Sequence, residues 1–222
     1  MSKRPRTRKK PQPKVVSAGD SDTPRRSARL TLETLEVARG HDGFLRGKPE
    51  PALLVAAYRT NGVLPAALVG RLSVRAQVEG GMPCSVELGQ RELRYDARFA
   101  ASERLVVLVL AMEENGGEGV AALYAAFENP RQLLLYEARE SIPSPRALEE
   151  WAQGECHAPS ARPIELLLAG DALEKIADSD QFIAACAFSA PAHPRCDEAW
   201  RLPFVGRDAR NDWTLLLRMR IT

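Results

Sequence analysis

The sequence has 222 residues, of which 45% are hydrophobic and 27% charged, with 31 lysines and arginines against 29 acidic residues. This is the composition of a globular protein rather than of a disordered or membrane-spanning one. No apolar run reaches the roughly 18 to 20 residues that a spanning helix needs. The N-terminal segment stays polar for about 28 residues and lacks the apolar region of a secretory signal, so we expect a cytoplasmic protein.

Positive charge is concentrated at the N-terminus. Residues 1–29 contain ten lysines and arginines but only two acidic residues, which gives this segment a net charge of +8 and leaves −6 on residues 30–222. The segment also has four prolines and few large apolar side chains, so it cannot bury enough apolar surface to offset its chain entropy. We expect a disordered basic tail over residues 1–29 and a single domain over residues 30–222.

Beyond the tail, apolar alternation and short apolar runs predict many short elements. Strands are predicted from residue 30 to 37 and over 52–58, 68–78, 85–88, 92–95, 105–112, 133–136, 164–168 and 213–221. The last strand places four apolar side chains inward, namely Leu215, Leu217, Met219 and Ile221. Short helices are predicted over 120–127, 146–153 and 172–177, while 182–188 fits a strand or a helix equally well.

The order of these elements indicates the fold class. Strands and helices do not alternate regularly, as a doubly wound parallel sheet would require, and no period of about 20 to 50 residues recurs. The predicted fold is therefore mainly β, an antiparallel β-sandwich with two or three short helical insertions.

One local pattern resembles the opening of a C2 domain. A leading strand is followed by Asp42 and Gly43, and Glu50 and Pro51 then stand immediately before a buried strand. A second acidic loop, with Glu113 and its neighbours, follows the central strand. The resemblance covers residues 30–130 and implies a C2-like β-sandwich. Many members of that family bind calcium on such loops, and others act as protein-binding or lipid-binding modules.

The resemblance implies one candidate calcium site, formed by Asp42, Glu50, Glu113 and Glu114. Calcium takes six to eight oxygen ligands, which these loops would have to bring together. However, glutamates replace the usual aspartates, the first loop is longer than in the family, and Arg46 and Lys48 place positive charge beside the loop. We therefore expect no calcium binding and no other cofactor.

Catalytic motifs are absent from the sequence. It contains no GxSxG, HExxH or phosphate-binding glycine loop, and no CxxC pair. Cys156, His157, His193 and Cys196 could supply zinc ligands, but adjacent Cys and His residues seldom reach one metal. An enzyme or accessory subunit using Cys156, His157 and Cys196 is kept as an alternative.

The basic tail gives the leading functional hypothesis. Its densest cluster consists of Lys3, Arg4, Arg6, Arg8, Lys9 and Lys10. Such a cluster, within residues 3–14, attracts an acidic protein, an anionic membrane or nucleic acid. The tail has no aromatic side chain to stack on bases, so nucleic-acid binding would be nonspecific. We therefore expect a non-enzymatic interaction or scaffold module that docks on a protein partner or an anionic surface, with a nonspecific nucleic-acid-binding protein as the second alternative.

Overall fold

The structure is a computed structural model that describes residues 25–40, 48–61, 65–100, 102–114, 118–137, 146–147, 162–168, 181–191, 195–206 and 210–222. Within these ranges the chain forms two antiparallel β-sheets and one α-helix. No helix in this part of the chain has the length and apolar character needed to cross a membrane.

The smaller sheet has four strands. They are β1 Arg25–Arg39, β4 Cys84–Arg98, β10 Cys196–Val205 and β11 Asp212–Ile221, in the order β10-β11-β1-β4. Alternate residues of β11 are buried, and these are the four apolar side chains predicted to face inward. The strict alternation arises because one face of this sheet covers the core and the other faces solvent.

The larger sheet has seven strands. They are β2 Pro51–Thr60, β3 Ala67–Arg75, β5 Arg104–Glu113, β6 Leu133–Glu137, β7 Arg146–Ala147, β8 Arg162–Leu168 and β9 Gln181–Pro191, in the order β3-β2-β5-β9-β8-β6-β7. Strands β2 and β5 are buried along almost their whole length. This explains their continuous apolar sequences, since a strand covered on both faces has no solvent-exposed side.

Two apolar cores account for that double burial. The first lies between the sheets and contains Leu32, Leu53, Val109 and Trp213. The second covers the other face of the larger sheet, where the helix α1, Glu118–Ala126, contributes Leu123. Each fully buried leucine or valine contributes about 1.5 to 3 kcal/mol relative to an exposed one.

A buried hydrogen bond fixes the end of α1 on the larger sheet. The Tyr58 hydroxyl donates to the carbonyl oxygen of Phe127 at 2.9 Å, and both residues are fully buried. Burial also raises the pKa of Tyr58 well above its ordinary value, so the hydroxyl keeps its proton at any physiological pH.

The predicted fold class is confirmed: the described chain is mainly β and forms an antiparallel β-sandwich with a helical insertion. The helix predicted over 120–127 is present, and Val120, Leu123 and Phe127 are buried as its periodicity indicated. Residues 182–188, which fitted either element, belong to strand β9.

Three predicted boundaries are wrong. Strand β1 begins at Arg25 rather than at residue 30, because its first residues pair with β4, with Arg25 opposite Arg98. The separate strands predicted over 85–88 and 92–95 form one strand, interrupted by a turn-like irregularity at Gly89 and Gln90, both with positive φ.

The third error concerns the helix predicted over 146–153. Its first two residues, Arg146 and Ala147, form strand β7 and pair with Leu135 and Leu134 of β6. Pairing with a neighbouring strand thus overrides the local Ser-Pro helix-start signal. The helix predicted over 172–177 lies outside the described residues.

Candidate anion-binding face

The outer face of the four-stranded sheet carries the most concentrated charge in the described part of the chain. Side chains alternate across a strand, so the burial of Leu30 and Leu32 places Arg29 and Thr31 on the opposite, outer side of β1. The same alternation places Arg94 on the outer side of β4 and Arg220 on the outer side of β11.

These three arginines lie in register across adjacent strands. Arg29 pairs with Arg220 on one side and with Arg94 on the other. Side chains at such directly opposed positions have Cβ atoms about 4.5 to 5.5 Å apart. We call Arg220, Arg29 and Arg94 the arginine row.

Further arginines extend the row along the sheet. Arg218 lies two residues from Arg220 on β11, and Arg25 lies opposite Arg98 on the two neighbouring strands. We call the six residues together the arginine face, consisting of Arg25, Arg29, Arg94, Arg98, Arg218 and Arg220. The outward acidic residues among them are Glu92, Asp96 and Asp197, so this end of the sheet has an excess of three positive charges.

The ion pairs within the arginine face are solvent-exposed. Arg94 Nε lies 3.0 Å from Asp96 Oδ2, and Arg29 Nε lies 3.8 Å from Glu92 Oε1. Asp197 is shared, since its two oxygens lie 3.0 Å from Arg218 Nε and 2.8 Å from Arg220 Nη2. The arginine side chains of these pairs are 43% to 53% exposed, and pairs of this kind contribute only about 0 to 1 kcal/mol each.

The charges nevertheless influence each other. A hydrogen bond with the Ser27 side chain, followed by the positive charges of Arg94 and Arg29, lowers the pKa of Asp96. Like charges directly opposite one another in a sheet destabilise it. An anion lying over the arginine row would relieve this repulsion, because guanidinium groups form paired, charge-assisted hydrogen bonds with phosphate and carboxylate oxygens.

The other end of the same face has the opposite balance. Its outward residues include Glu36 and Glu87 with Arg201, whose Nη2 lies 2.5 Å from Glu36 Oε2. Arg201 lies opposite Leu216 rather than opposite another arginine. The arginine row is therefore a local feature of one end of the sheet.

The structure brings three of the four predicted calcium ligands together. The backbone N–H of Glu50 donates to Glu113 Oε1 at 3.1 Å, and the backbone N–H of Glu114 donates to the carbonyl oxygen of Glu50 at 3.1 Å. Arg75 Nε lies 2.5 Å from Glu114 Oε2. Asp42 lies outside the described residues.

These contacts occupy the glutamates with protein partners. Glu113 is 1% exposed, and Arg75 neutralises the charge of Glu114. Among the residues that the structure describes, no three His, Cys, Asp or Glu side chains are grouped so as to hold a metal ion. That calcium does not bind remains a prediction, and Asp42→Asn tests it.

The cysteine and histidine alternative falls largely outside the described ranges. Cys156, His157 and His193 are not described, and Cys196 is half-buried. Burial, followed by the charge of Glu198, raises the pKa of Cys196, and burial raises the pKa of Cys186 to about 12. The raised pKa keeps both thiols protonated, which opposes nucleophilic or metal-binding chemistry at these two positions.

The arginine row was not predicted from the sequence, whereas the predicted polyanion-binding residues lie outside the described ranges. Those residues are Lys3, Arg4, Arg6, Arg8, Lys9 and Lys10. The local signal of the row is the alternation of Arg218 and Arg220 with buried residues in β11. The register between strands, which completes the row, was not available from that alternation.

Comparisons with known proteins were made for the whole chain. No protein-family model matches it, and no curated protein matches it in sequence. Among solved structures the chain is similar to a C2 domain, the one designated A, of a plant extended synaptotagmin 1, with 11% sequence identity and a TM-score of 0.30. The similarity covers 87% of this chain and 91% of that domain.

Proposed function

We propose that this chain is a non-enzymatic interaction module that docks its arginine face on an anionic, phosphate-bearing surface, with the basic residues of 1–24 adding to the attraction. The observation that carries the proposal is the arginine row, in which Arg29 is flanked by Arg94 and Arg220 in register. A cytoplasmic location is part of the proposal, because anionic phospholipids are concentrated on the cytoplasmic leaflet.

The geometry favours a membrane surface over nucleic acid. The arginines project from a broad sheet face, and no outward position of the described arginine face carries an aromatic side chain to stack on bases. Near an anionic membrane each cation contributes about 1 kcal/mol. The three arginines of the row would therefore contribute at most about 3 kcal/mol, or roughly two orders of magnitude in affinity.

Vesicle co-sedimentation tests this proposal. The protein is mixed with phosphatidylcholine vesicles, with or without about 30 mol% phosphatidylserine to supply the negative charge. The test variant carries R29Q, R94Q and R220Q together. The matched control carries R39Q, R75Q and R201Q, which remove the same charge from exposed arginines outside the row.

We expect binding only to the anionic vesicles, a loss of about tenfold or more in the row variant and a much smaller loss in the control. Affinity should also fall by about tenfold or more as salt rises from roughly 50 to 200 mM. Equal losses in both variants would show that net charge, rather than the arginine row, determines binding. Tighter binding to duplex DNA than to vesicles would instead favour the nucleic-acid alternative.

An acidic protein partner is the alternative surface of the same charge. A pull-down with and without the row substitutions identifies it if vesicles are not bound. The enzyme alternative requires a different result, which is turnover that depends on Cys196.

A further inference from the structure

A pocket of about 350 Å³ opens at the side of the sandwich between β3, an edge strand of the larger sheet, and β4, an edge strand of the smaller one. It is separate from the arginine face, because its residues come from the end of β2, the start of β3 and the inward side of β4. Leu68 and Val69 form an apolar wall, while Arg59, Tyr95 and Glu103 supply polar groups. Its volume is within the range of small-molecule sites.

Arg59 is held firmly in this pocket. Its Nε donates to Glu103 Oε1 at 2.7 Å, and its Nη1 lies 3.5 Å from the Tyr95 hydroxyl oxygen. The guanidinium carbon lies 5.6 Å from the centroid of the buried Phe99 ring, within the range of a cation–π contact. The guanidinium group therefore has a defined position before any ligand arrives.

Glu103 has no oxygen left to offer a ligand. Its Oε1 accepts from Arg59, and its Oε2 accepts the backbone N–H of Ala100 at 2.6 Å. The Glu103 side chain is 11% exposed, whereas that of Arg59 is 31% exposed. The group presented to the pocket is thus the guanidinium rather than the carboxylate.

Arg59 retains hydrogen-bonding capacity on its exposed side. A guanidinium has five N–H donors, two on each terminal nitrogen. Within the described part of the chain, the contacts with Glu103 and Tyr95 use only one donor of each nitrogen. Two parallel donors remain, which is the arrangement that binds a planar carboxylate through both oxygens.

We propose that this pocket binds a small carboxylic acid with an apolar body, the carboxylate on Arg59 and the body against Leu68 and Val69. Charge favours a monoanion, because Arg59 and Glu103 together are neutral and a dianionic phosphate would leave a full negative charge beside Glu103. The apolar wall requires that the remainder of the ligand be apolar.

Phenylacetate serves as the probe, with phenylacetamide as its uncharged counterpart of the same shape. Binding to the full chain is followed by amide chemical shifts and by calorimetry. Two variants test the site: R59Q removes the guanidinium, and A67W fills the pocket from an exposed position on β3 while leaving Arg59 and Glu103 in place. A199W, at an exposed alanine of β10, is the matched control.

We expect phenylacetate to shift the amides of residues 59–61 and 67–69, and to lose about tenfold or more in affinity in R59Q. A67W should abolish binding, and A199W should leave it unchanged. If R59Q does not fold, A67W and phenylacetamide decide the question. Absence of phenylacetate binding, binding unchanged in A67W, or equal binding of the uncharged amide would each overturn the proposal.

Discussion

The central arginine of the row provides a test in which stability and binding move in opposite directions. Arg29→Gln removes the charge that lies between Arg94 and Arg220 while keeping a polar side chain on the outer face of β1. If the row exists to bind anions, this substitution should weaken binding to anionic vesicles without destabilising the fold. A residue that only supports the structure would show the reverse.

The expected change in stability follows from three contacts. Removing two like-charge neighbours recovers about 0.2 to 1 kcal/mol for each. Losing the ion pair with Glu92, whose charged atoms are 3.8 Å apart and whose side chains are 43% and 36% exposed, costs about 0 to 1 kcal/mol. The free energy of unfolding should therefore stay constant or rise by up to about 1 kcal/mol, which at this chain length raises Tm by roughly 0 to 4 °C.

Thermal denaturation at low salt measures this effect, and vesicle binding by the same samples measures the other. Affinity for anionic vesicles should fall by up to about fivefold, corresponding to one cation near the surface. In an R94Q background the stability gained by R29Q should shrink, since one repulsive neighbour is already absent. A fall in Tm of more than about 3 °C in R29Q would refute the reasoning.

Arg201→Gln is the matched control for that experiment. Arg201 also projects outward and forms an ion pair, but the residue opposite it on β11 is Leu216. Its substitution removes an attraction and no repulsion, so Tm should stay constant or fall by up to about 4 °C. A rise as large as that of R29Q would show that general charge reduction, rather than the row, is responsible.

Three further predictions concern the fold and the acidic loops. Tyr58→Phe leaves the carbonyl of Phe127 without its buried partner and should lower the free energy of unfolding by about 1 to 3 kcal/mol in a denaturant titration. Deleting residues 1–24 should change Tm by only a few degrees, whereas deleting residues 1–29 also removes paired strand residues and should lower Tm further. Calcium at about 1 mM should not raise Tm, although a site at a hundredfold excess of ligand would add about 2.7 kcal/mol.

Each of these has a control and a contrary result. Tyr124→Phe removes a longer hydroxyl contact, 3.4 Å from the Arg71 carbonyl oxygen, and should cost less than Tyr58→Phe. Loss of cooperative unfolding after removal of residues 1–24 would place that segment in the core. A calcium-induced rise in Tm that Asp42→Asn abolishes would establish the loops as a calcium site.

The sequence was sufficient for those parts of the fold in which local pattern and tertiary burial agree. Alternation in β11 identified the inward side chains, and the unbroken apolar run of β5 identified a strand covered on both faces. The period of Val120, Leu123 and Phe127 identified the helix. In each case a side chain's environment depends on its near neighbours in sequence.

The arginine row could not be predicted in this way because it depends on strand register. Arg29, Arg94 and Arg220 are far apart in sequence, and a shift of one residue in either pairing would turn a neighbouring strand's arginine to the core side. The bulge between Leu32 and Thr34 and the merging of two predicted strands into β4 were equally invisible from local patterns. The Arg59 pocket depends on the separation of two sheet edges, which no single segment encodes.

The position of β1 also determines when the arginine face can exist during folding. Strands β2, β3, β5 and β9 pair with each other, whereas β1 has β4 and β11 as neighbours, with Ala28 opposite Ile221 near the other end of the sequence. Contacts of such long sequence separation are slow to form. A partly folded chain that has assembled only the larger sheet would carry these arginines without the row. Polyanion binding would then count only fully folded molecules, and a polyanion added during refolding would raise the final yield of native protein without accelerating the early steps.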